Sequence, residues 1–249
     1  MSKKLEGKVA LVTGGSSGIG LASAQEFAAQ GATVFITGRR QEELDAALDL
    51  IGSKATAIRG DVANLDDLDR VFAEIKAKAG HLDVVFANAG GGDMVPLAAV
   101  TEEHFDRIFN ANVKGTLFTV QKALPLLKDG GSIILTASTT SVKGTENFSV
   151  YSASKAAVRN FARTWLLELK PRNIRVNSIS PGPIHTPGLA GLVPVEHQDG
   201  LLNHLSTLVP VGRLGQPAEI AKAVSFLASD DSSFINGIEL FVDGGTAQI

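Results

Sequence analysis

Three features of the 249-residue sequence predict a single α/β domain: a doubly wound, seven-stranded and mostly parallel sheet with helices on both faces. Short apolar runs alternate with amphipathic stretches seven times, the signature of successive strand–helix units. The first run, Lys8 to Thr13, is apolar and β-rich, as a strand buried on both faces is. The length suits one large domain and is short for two.

Composition narrows the class. Hydrophobic residues make up 44% and charged residues 20%, and the net charge is −3 without a block of like charges. Neither nucleic acid nor an anionic membrane surface is indicated as a partner. Cysteine is absent, which excludes disulfides, thiol nucleophiles and cysteine–metal sites. Met1 to Lys8 lacks the apolar stretch of a secretory signal, and no run approaches the ~18 residues of a membrane span, so a cytoplasmic protein is expected. His81, His104, His185, His197 and His204 show no ligand spacing; they are expected on the surface or in loops, with no metal site.

The first strand, Lys8 to Thr13, runs into Thr13-Gly-Gly-Ser-Ser-Gly-Ile-Gly20 and a helix that reaches Gln30 and stops at Gly31. Strand, glycine turn, helix is the Rossmann-type setting for a dinucleotide. Glycines let the backbone approach a pyrophosphate, and the helix N-terminus offers it unpaired N–H groups. The spacing of Gly14, Gly18 and Gly20 is G-x-x-x-G-x-G rather than G-x-G-x-x-G. The second strand, Thr33 to Thr37, ends in Gly38-Arg39-Arg40. An acid about 20 residues past the glycines would take the ribose 2′-hydroxyl of NAD. Gly38 occupies that position, and the two guanidiniums beyond it suit a 2′-phosphate, so NADP(H) is expected over NAD(H). The same arginines could simply start the next helix on a solvated face, with Glu42 and Glu43 in its first turn.

The third strand, Ala55 to Arg59, ends in Gly60-Asp61-Val62. Asp61 suits an adenine amino group or the cap of the next helix, which Asp66 and Asp67 open and which reaches about Ala79. A fourth strand, Asp83 to Ala87, leads to Asn88-Ala89-Gly90-Gly91-Gly92, either a cofactor wall or an ordinary turn. Thr101 caps a long helical pattern reaching about Lys128. Within it Asn112 is either an exposed amide or the mark of a local break in the ladder. Ser132 to Ala137 is the fifth strand, with Ser138 at its end as a turn former or a hydroxyl for a substrate oxygen.

The helix from Val150 to Leu169 carries Tyr151, the sole tyrosine, and Lys155 four positions later on the same face. A phenol has a free pKa of ~10, and a neighbouring ammonium is expected to lower it. A drop of about three units would correspond to roughly 4 kcal/mol and yield an acid/base for an alcohol or carbonyl oxygen. The sixth strand, Asn173 to Ile179, ends in Ser180-Pro-Gly-Pro-Ile-His-Thr-Pro187. Residues 186–210, with a short helix near Asp199 to Leu208, are expected to form a mobile lid. A helix from Gln216-Pro217 to Ala228 and a last strand, Ile238 to Val242, complete the chain. Gly14, Arg39, Asp61, Asn88, Ser138, Tyr151 and Pro181 all fall just past a strand's carboxyl end, the edge of a parallel sheet where ligands bind.

These residues resemble the short-chain dehydrogenase/reductase family over essentially the whole chain. The resemblance rests on Thr13–Gly20, Asn88-Ala-Gly90, Asn112, Ser138, Tyr151-x-x-x-Lys155, Pro181-Gly182 and Pro210-x-x-Arg213-x-Gly215-x-Pro217. It implies that Tyr151 is the general acid/base, that Ser138 orients the substrate oxygen and that Asn112 positions a relay water. It further implies that Lys155 tunes the tyrosine and holds the nicotinamide ribose. The cofactor is then expected along Gly14, Ser16, Ser17, Gly18, Ile19 and Gly20, at Arg39, Arg40, Asp61 and Val62, along Asn88, Ala89 and Gly90, and at Pro181, Gly182, Ile184 and Thr186. Two departures stand out: Ala87 replaces a frequent asparagine, and Ser17 stands where many NADP-using members carry a base. The implied substrate is a small ketone or secondary alcohol, and the implied assembly a homotetramer. Two rivals are a β-ketoacyl-thioester reductase served by an acidic acyl carrier protein and a nucleotide sensor without catalysis.

Overall fold

The computed structural model describes residues 3–248. The strands are β1 (Val9–Thr13), β2 (Thr33–Gly38), β3 (Ala55–Arg59), β4 (Leu82–Ala87), β5 (Leu127–Thr136), β6 (Arg175–Pro181) and β7 (Glu239–Val242). They form one sheet in the order β3-β2-β1-β4-β5-β6-β7, and every neighbouring pair is parallel. The order reverses between β1 and β4, so the loops beyond their carboxyl ends diverge and open a crevice.

The helices are α1 (Gly18–Ala29), α2 (Gln41–Ile51), α3 (Leu65–Ala79), α4 (Glu102–Phe109), α5 (Gly115–Ala123), α6 (Ser149–Glu168), α7 (Pro187–Ala190), α8 (Gln198–Leu208) and α9 (Pro217–Ala228). Period-2 alternation sorts β1 between two cores. Val9 and Leu11 pack with Leu68 and Phe72 of α3, Val120 of α5 and Val158 of α6. Ala10 and Val12 pack with Phe27 of α1, Leu44 of α2 and Val224 of α9. Both faces are covered, which is why β1 carries no polar alternation. Each such buried Leu, Val or Phe contributes about 1.5–3 kcal/mol through area removed from water.

Three local outcomes decide what the sequence left open or correct it. The helical pattern from Thr101 stops at Ala123, not Lys128, because Pro125 supplies no N–H to extend it; β5 starts already at Leu127. Between α4 and α5, residues Asn110–Lys114 form one turn of π-helix that buries Asn112, so the reading as a break in the ladder holds. Asp61 does not cap α3: Asn64 does, its side chain accepting from the amides of Asp66 and Asp67. Among the histidines, His104 is buried on α4, its Nδ1 3.2 Å from Arg107 Nη2, whereas His185, His197 and His204 are exposed. Among the described residues no helix is long and apolar enough to cross a membrane. None of their His, Asp and Glu side chains cluster in a way that could hold a metal.

Candidate active site

The crevice begins at the glycine turn. Gly14 and Gly18 have φ of +66° and +53°, the left-handed region that a side chain disfavours. At Gly20 a Cβ would stand 2.0 Å from Gly14 O and 2.7 Å from Asn88 Nδ2, so no side chain fits where α1 meets the turn. Ser17 occupies the N-cap position without a side-chain capping bond. Among the described residues the first amides of α1 therefore have no side-chain cap and present a site for an anion. Ser16 lies against Gly38 at the end of β2, and Ile19 packs against the α1-side core.

At the outer end of the crevice a cavity of about 180 Å³ is lined by Arg39, Arg59, Gly60, Asp61 and Asp67. Arg59 was not foreseen. Parallel pairing sets Gly38 beside Arg59, and Arg59 Nε donates to Arg39 O at 3.1 Å. Arg40 does not line the cavity; it starts α2 on the solvated face, Nη2 3.6 Å from Glu43. Asp61 Oδ1 accepts from Ala63 N at 3.0 Å, while the Asp61 amide donates to Asp67 at 2.9 Å. That amide, followed by the Arg70 guanidinium, holds the Asp67 carboxyl below its usual range. Val62 is buried, packed where a Cβ on Gly115 would stand 2.7 Å away.

The inner wall is pinned by Thr13, a second residue sequence reasoning missed. Its hydroxyl accepts from the amides of Asn88 and Ala89, both at 3.0 Å. Asn88 Nδ2 returns a bond to Thr13 O at 3.1 Å, and Thr136 Oγ1 donates to Asn88 Oδ1 at 3.3 Å. Asn88 thus ties β1, β4 and β5 together where they part. With the next amides of β4 turned to Thr13, the carbonyl of Thr136 accepts instead from Lys155 Nζ at 2.8 Å.

Lys155 is 4% exposed, and its Nζ lies 5.5 Å from the centre of the Tyr151 ring. Burial pushes the ammonium down to about 8. Asn112, 1% exposed, holds the glycine run against α6. Its Oδ1 accepts from Gly91 N at 3.0 Å, and its Nδ2 donates to Gly91 O and to Ser154 Oγ, both at 2.9 Å. Ser154 Oγ donates in turn to Tyr151 O at 2.6 Å. A Cβ on Gly90 would stand 2.7 Å from Asn112 Oδ1, and one on Gly92 would stand 2.4 Å from Tyr151 Cδ2. Only glycines can run this close to the side chains of both α6 and the π-turn.

Ser138, buried at the end of β5, faces the Tyr151 phenol, and Phe148 stacks on the tyrosine ring with centroids 4.4 Å apart. Here one expectation is corrected. Burial dominates and pushes the phenol above its usual value; the Ser138 hydroxyl beside it pulls it partly back. The neighbouring lysine, its Nζ engaged with Thr136 O, does not lower it. Burial favours the neutral form of each partner.

The fourth wall comes from β6. Pro181 is buried, and a Cβ on Gly182 would stand 2.7 Å from Asp243 Cα. Ile184 forms a bridge to Gly215, whose amide donates to Pro183 O at 3.0 Å. Thr186 caps α7 by accepting from Leu189 N at 3.1 Å, and its methyl would lie 3.3 Å from a Cβ on Gly18. The segment after β6 therefore reaches back over the glycine turn.

A family model described as enoyl-(acyl carrier protein) reductase matches residues 14–247. The oxidoreductase asL5 of Sarocladium schorii is 47% identical over 99% of this chain and 98% of its own. The chain belongs to the short-chain dehydrogenase/reductase family. Hydroxynaphthalene reductase-like protein Arp2 of Metarhizium brunneum is 36% identical over 98% of this chain and 96% of its own. The crystal structure of levodione reductase superposes with a TM-score of 0.94 at 29% identity, covering 98% of this chain and 99% of that one. As a short-chain dehydrogenase/reductase the protein is an oxidoreductase that uses a nicotinamide cofactor. The residues present fit such a group: the Gly14, Gly18 and Gly20 turn leaves room that side chains would fill. Beside it, amides without a side-chain cap at the start of α1 suit a pyrophosphate.

Proposed function

We propose that this dehydrogenase/reductase reduces a hydrophobic ketone with NADPH, and in the reverse sense oxidises the secondary alcohol. The observation that carries the reading is the meeting of Ser138, Tyr151 and Lys155 at the inner end of the crevice. When bound, the nicotinamide supplies the hydride to the carbonyl carbon. Ser138 donates a hydrogen bond to the substrate oxygen. The Tyr151 hydroxyl passes its proton to that oxygen as negative charge develops there. Lys155, when protonated, places a positive charge beside the phenolate that remains. Asn112 keeps the Gly90–Gly92 wall against the tyrosine.

Preference for the phosphorylated cofactor is supported by Arg39 and Arg59, two cations edging the outer cavity, and by Gly38 in the position of a ribose-binding acid. Arg59 stands in for the base that Ser17 does not supply. A hydrophobic substrate is supported by Phe148 stacked on Tyr151 and by the exposed apolar side chains Met94 and Val142 on the segments that flank Tyr151 and the glycine run. The name of the relative Arp2 points to a fused aromatic ring. A carrier-bound thioester is disfavoured by charge. The two mouth segments, residues 142–148 and 186–208, carry Lys143 against Glu146, Glu196 and Asp199, a balance that repels an acidic carrier.

The test is NADPH oxidation with a panel of hydrophobic ketones, using wild type and Tyr151→Phe. The variant is expected to lose about 10²–10⁴ in kcat while binding NADPH normally. Near-wild-type turnover by Tyr151→Phe would refute the assignment. NADPH binding with no ketone turned over by wild type would favour a sensor.

A further inference from the structure

We propose that Thr140 is a positioning residue that fixes the Ser138 hydroxyl as a donor toward the substrate oxygen. The inference rests on the roles given to Ser138 and Tyr151 above. A serine hydroxyl carries one hydrogen and two lone pairs and rotates to suit whatever approaches it. At Ser138 one residue covers both acceptor directions. Thr140 N lies 3.2 Å from Ser138 Oγ, and Thr140 Oγ1 lies 3.1 Å from it.

The first of these bonds cannot reverse, since a backbone N–H only donates. The second completes a chain once an acceptor stands in front of Ser138: Thr140 O–H to Ser138 Oγ, and Ser138 O–H to the substrate oxygen. Hydrogen bonds in such a chain polarise one another. The chain therefore strengthens as the carbonyl oxygen gains negative charge, which makes its contribution larger in the transition state than in the ground state.

The turn that carries Thr140 is held from beneath. Ser141 N donates to Ser138 O at 2.9 Å, and Ser141 Oγ lies 2.6 Å from the same oxygen and 2.8 Å from Glu239 Oε1. Glu239 is paired with Arg159 Nε at 2.6 Å and accepts from Ser180 Oγ at 2.7 Å, with both charged side chains largely buried. The backbone that carries Thr140 is thus tied, through Ser141, to a buried ion pair. The Thr140 hydroxyl makes no other hydrogen bond among the described residues.

The experiment is a double-mutant cycle of Thr140→Val and Ser138→Ala, read by steady-state kinetics of ketone reduction and by NADPH titration. Valine keeps the shape and the backbone N–H and removes only the hydroxyl. Thr140→Val is expected to lower kcat about tenfold, the effect of one ordinary hydrogen bond, with the Kd for NADPH unchanged. Thr140→Ser should restore most of the rate. The tenfold loss should disappear in the Ser138→Ala background, because the hydroxyl acts only through Ser138. Unchanged kcat in Thr140→Val, or the same loss with and without Ser138, would overturn the proposal while leaving the parent reading intact. Full activity of Ser138→Ala would sink both. Thr140→Ala serves in the same cycle if the valine methyl crowds the turn, and thermal melts of each variant confirm that it is folded.

Discussion

Replacing Lys155 by methionine should change the pH dependence of stability in a way that the structure quantifies. The side chain is buried against the Tyr151 ring, and burial lowers its pKa from 10.5 to about 8. The unfolded chain therefore binds the proton more tightly than the native protein. Stability from this group is fully present above pH 10.5, falls as the pH drops from 10.5 to 8, and stays reduced below 8. The full difference is about 3 kcal/mol, at ~1.4 kcal/mol for each pKa unit. Methionine fills similar volume and does not titrate. It also surrenders the bond to Thr136 O, a loss that shifts the comparison by a constant offset. The stability of Lys155→Met relative to wild type should thus decline by about 2 kcal/mol between pH 7 and pH 9.5, whatever that offset is. Urea unfolding of both proteins without nucleotide, at four or five pH values, measures it. Parallel curves across this range would refute the reasoning, because they would mean that Lys155 stays fully charged at no cost in the folded state.

Two further outcomes follow from the same geometry. Arg39→Ala and Arg59→Ala should each move the NADPH/NADH ratio of kcat/KM toward NADH by about tenfold or more, the loss of one charge-assisted hydrogen bond. Arg40→Ala, whose side chain points to Glu43, should leave the ratio unchanged; equal effects at all three positions would contradict the placement. Glu239→Gln should cost about 3 kcal/mol or more in chemical unfolding by leaving Arg159 buried without its counter-ion, and wild-type stability in that variant would count against the pair.

The fold was readable because its signals are local. Strands such as β1, β2 and β4 are short, largely apolar runs, and several helices are bounded by glycine, proline or a polar cap, as at Gly31, Thr101 and Pro217. The order of the candidate groups was readable for the same reason, since Ser138, Tyr151 and Lys155 are spaced along one strand–turn–helix unit. What stayed hidden depends on register between distant segments. Arg59 is an unremarkable strand-end residue until β2 and β3 pair and set it beside Gly38 and Arg39. Thr13 looks like the last residue of a strand. Its role appears only when β4 parts from β5 and turns two amides toward it. Asn112 was half readable: an amide two residues before Lys114-Gly115 suggested a break, but only packing against Gly91 and Ser154 shows what the break is for.

The sign of the Tyr151 shift was misread for a physical reason that bears on function. Spacing on a helix reveals an ammonium near a phenol, and Coulomb attraction alone would make the phenol more acidic. Burial is invisible to spacing, and at this site it is the larger effect for both groups. Burial penalises phenolate and ammonium alike, so at neutral pH Tyr151 holds its proton. That is the form a reduction consumes, since the developing alkoxide needs a donor rather than a base. A phenolate general base, by contrast, would have to be formed against the burial of the ring before an alcohol could be oxidised. The chain keeps a lysine in that pocket at a cost of about 3 kcal/mol to its own stability. A structural role would be met as well by an apolar side chain, whereas the role proposed for Lys155 beside Tyr151 requires the charge.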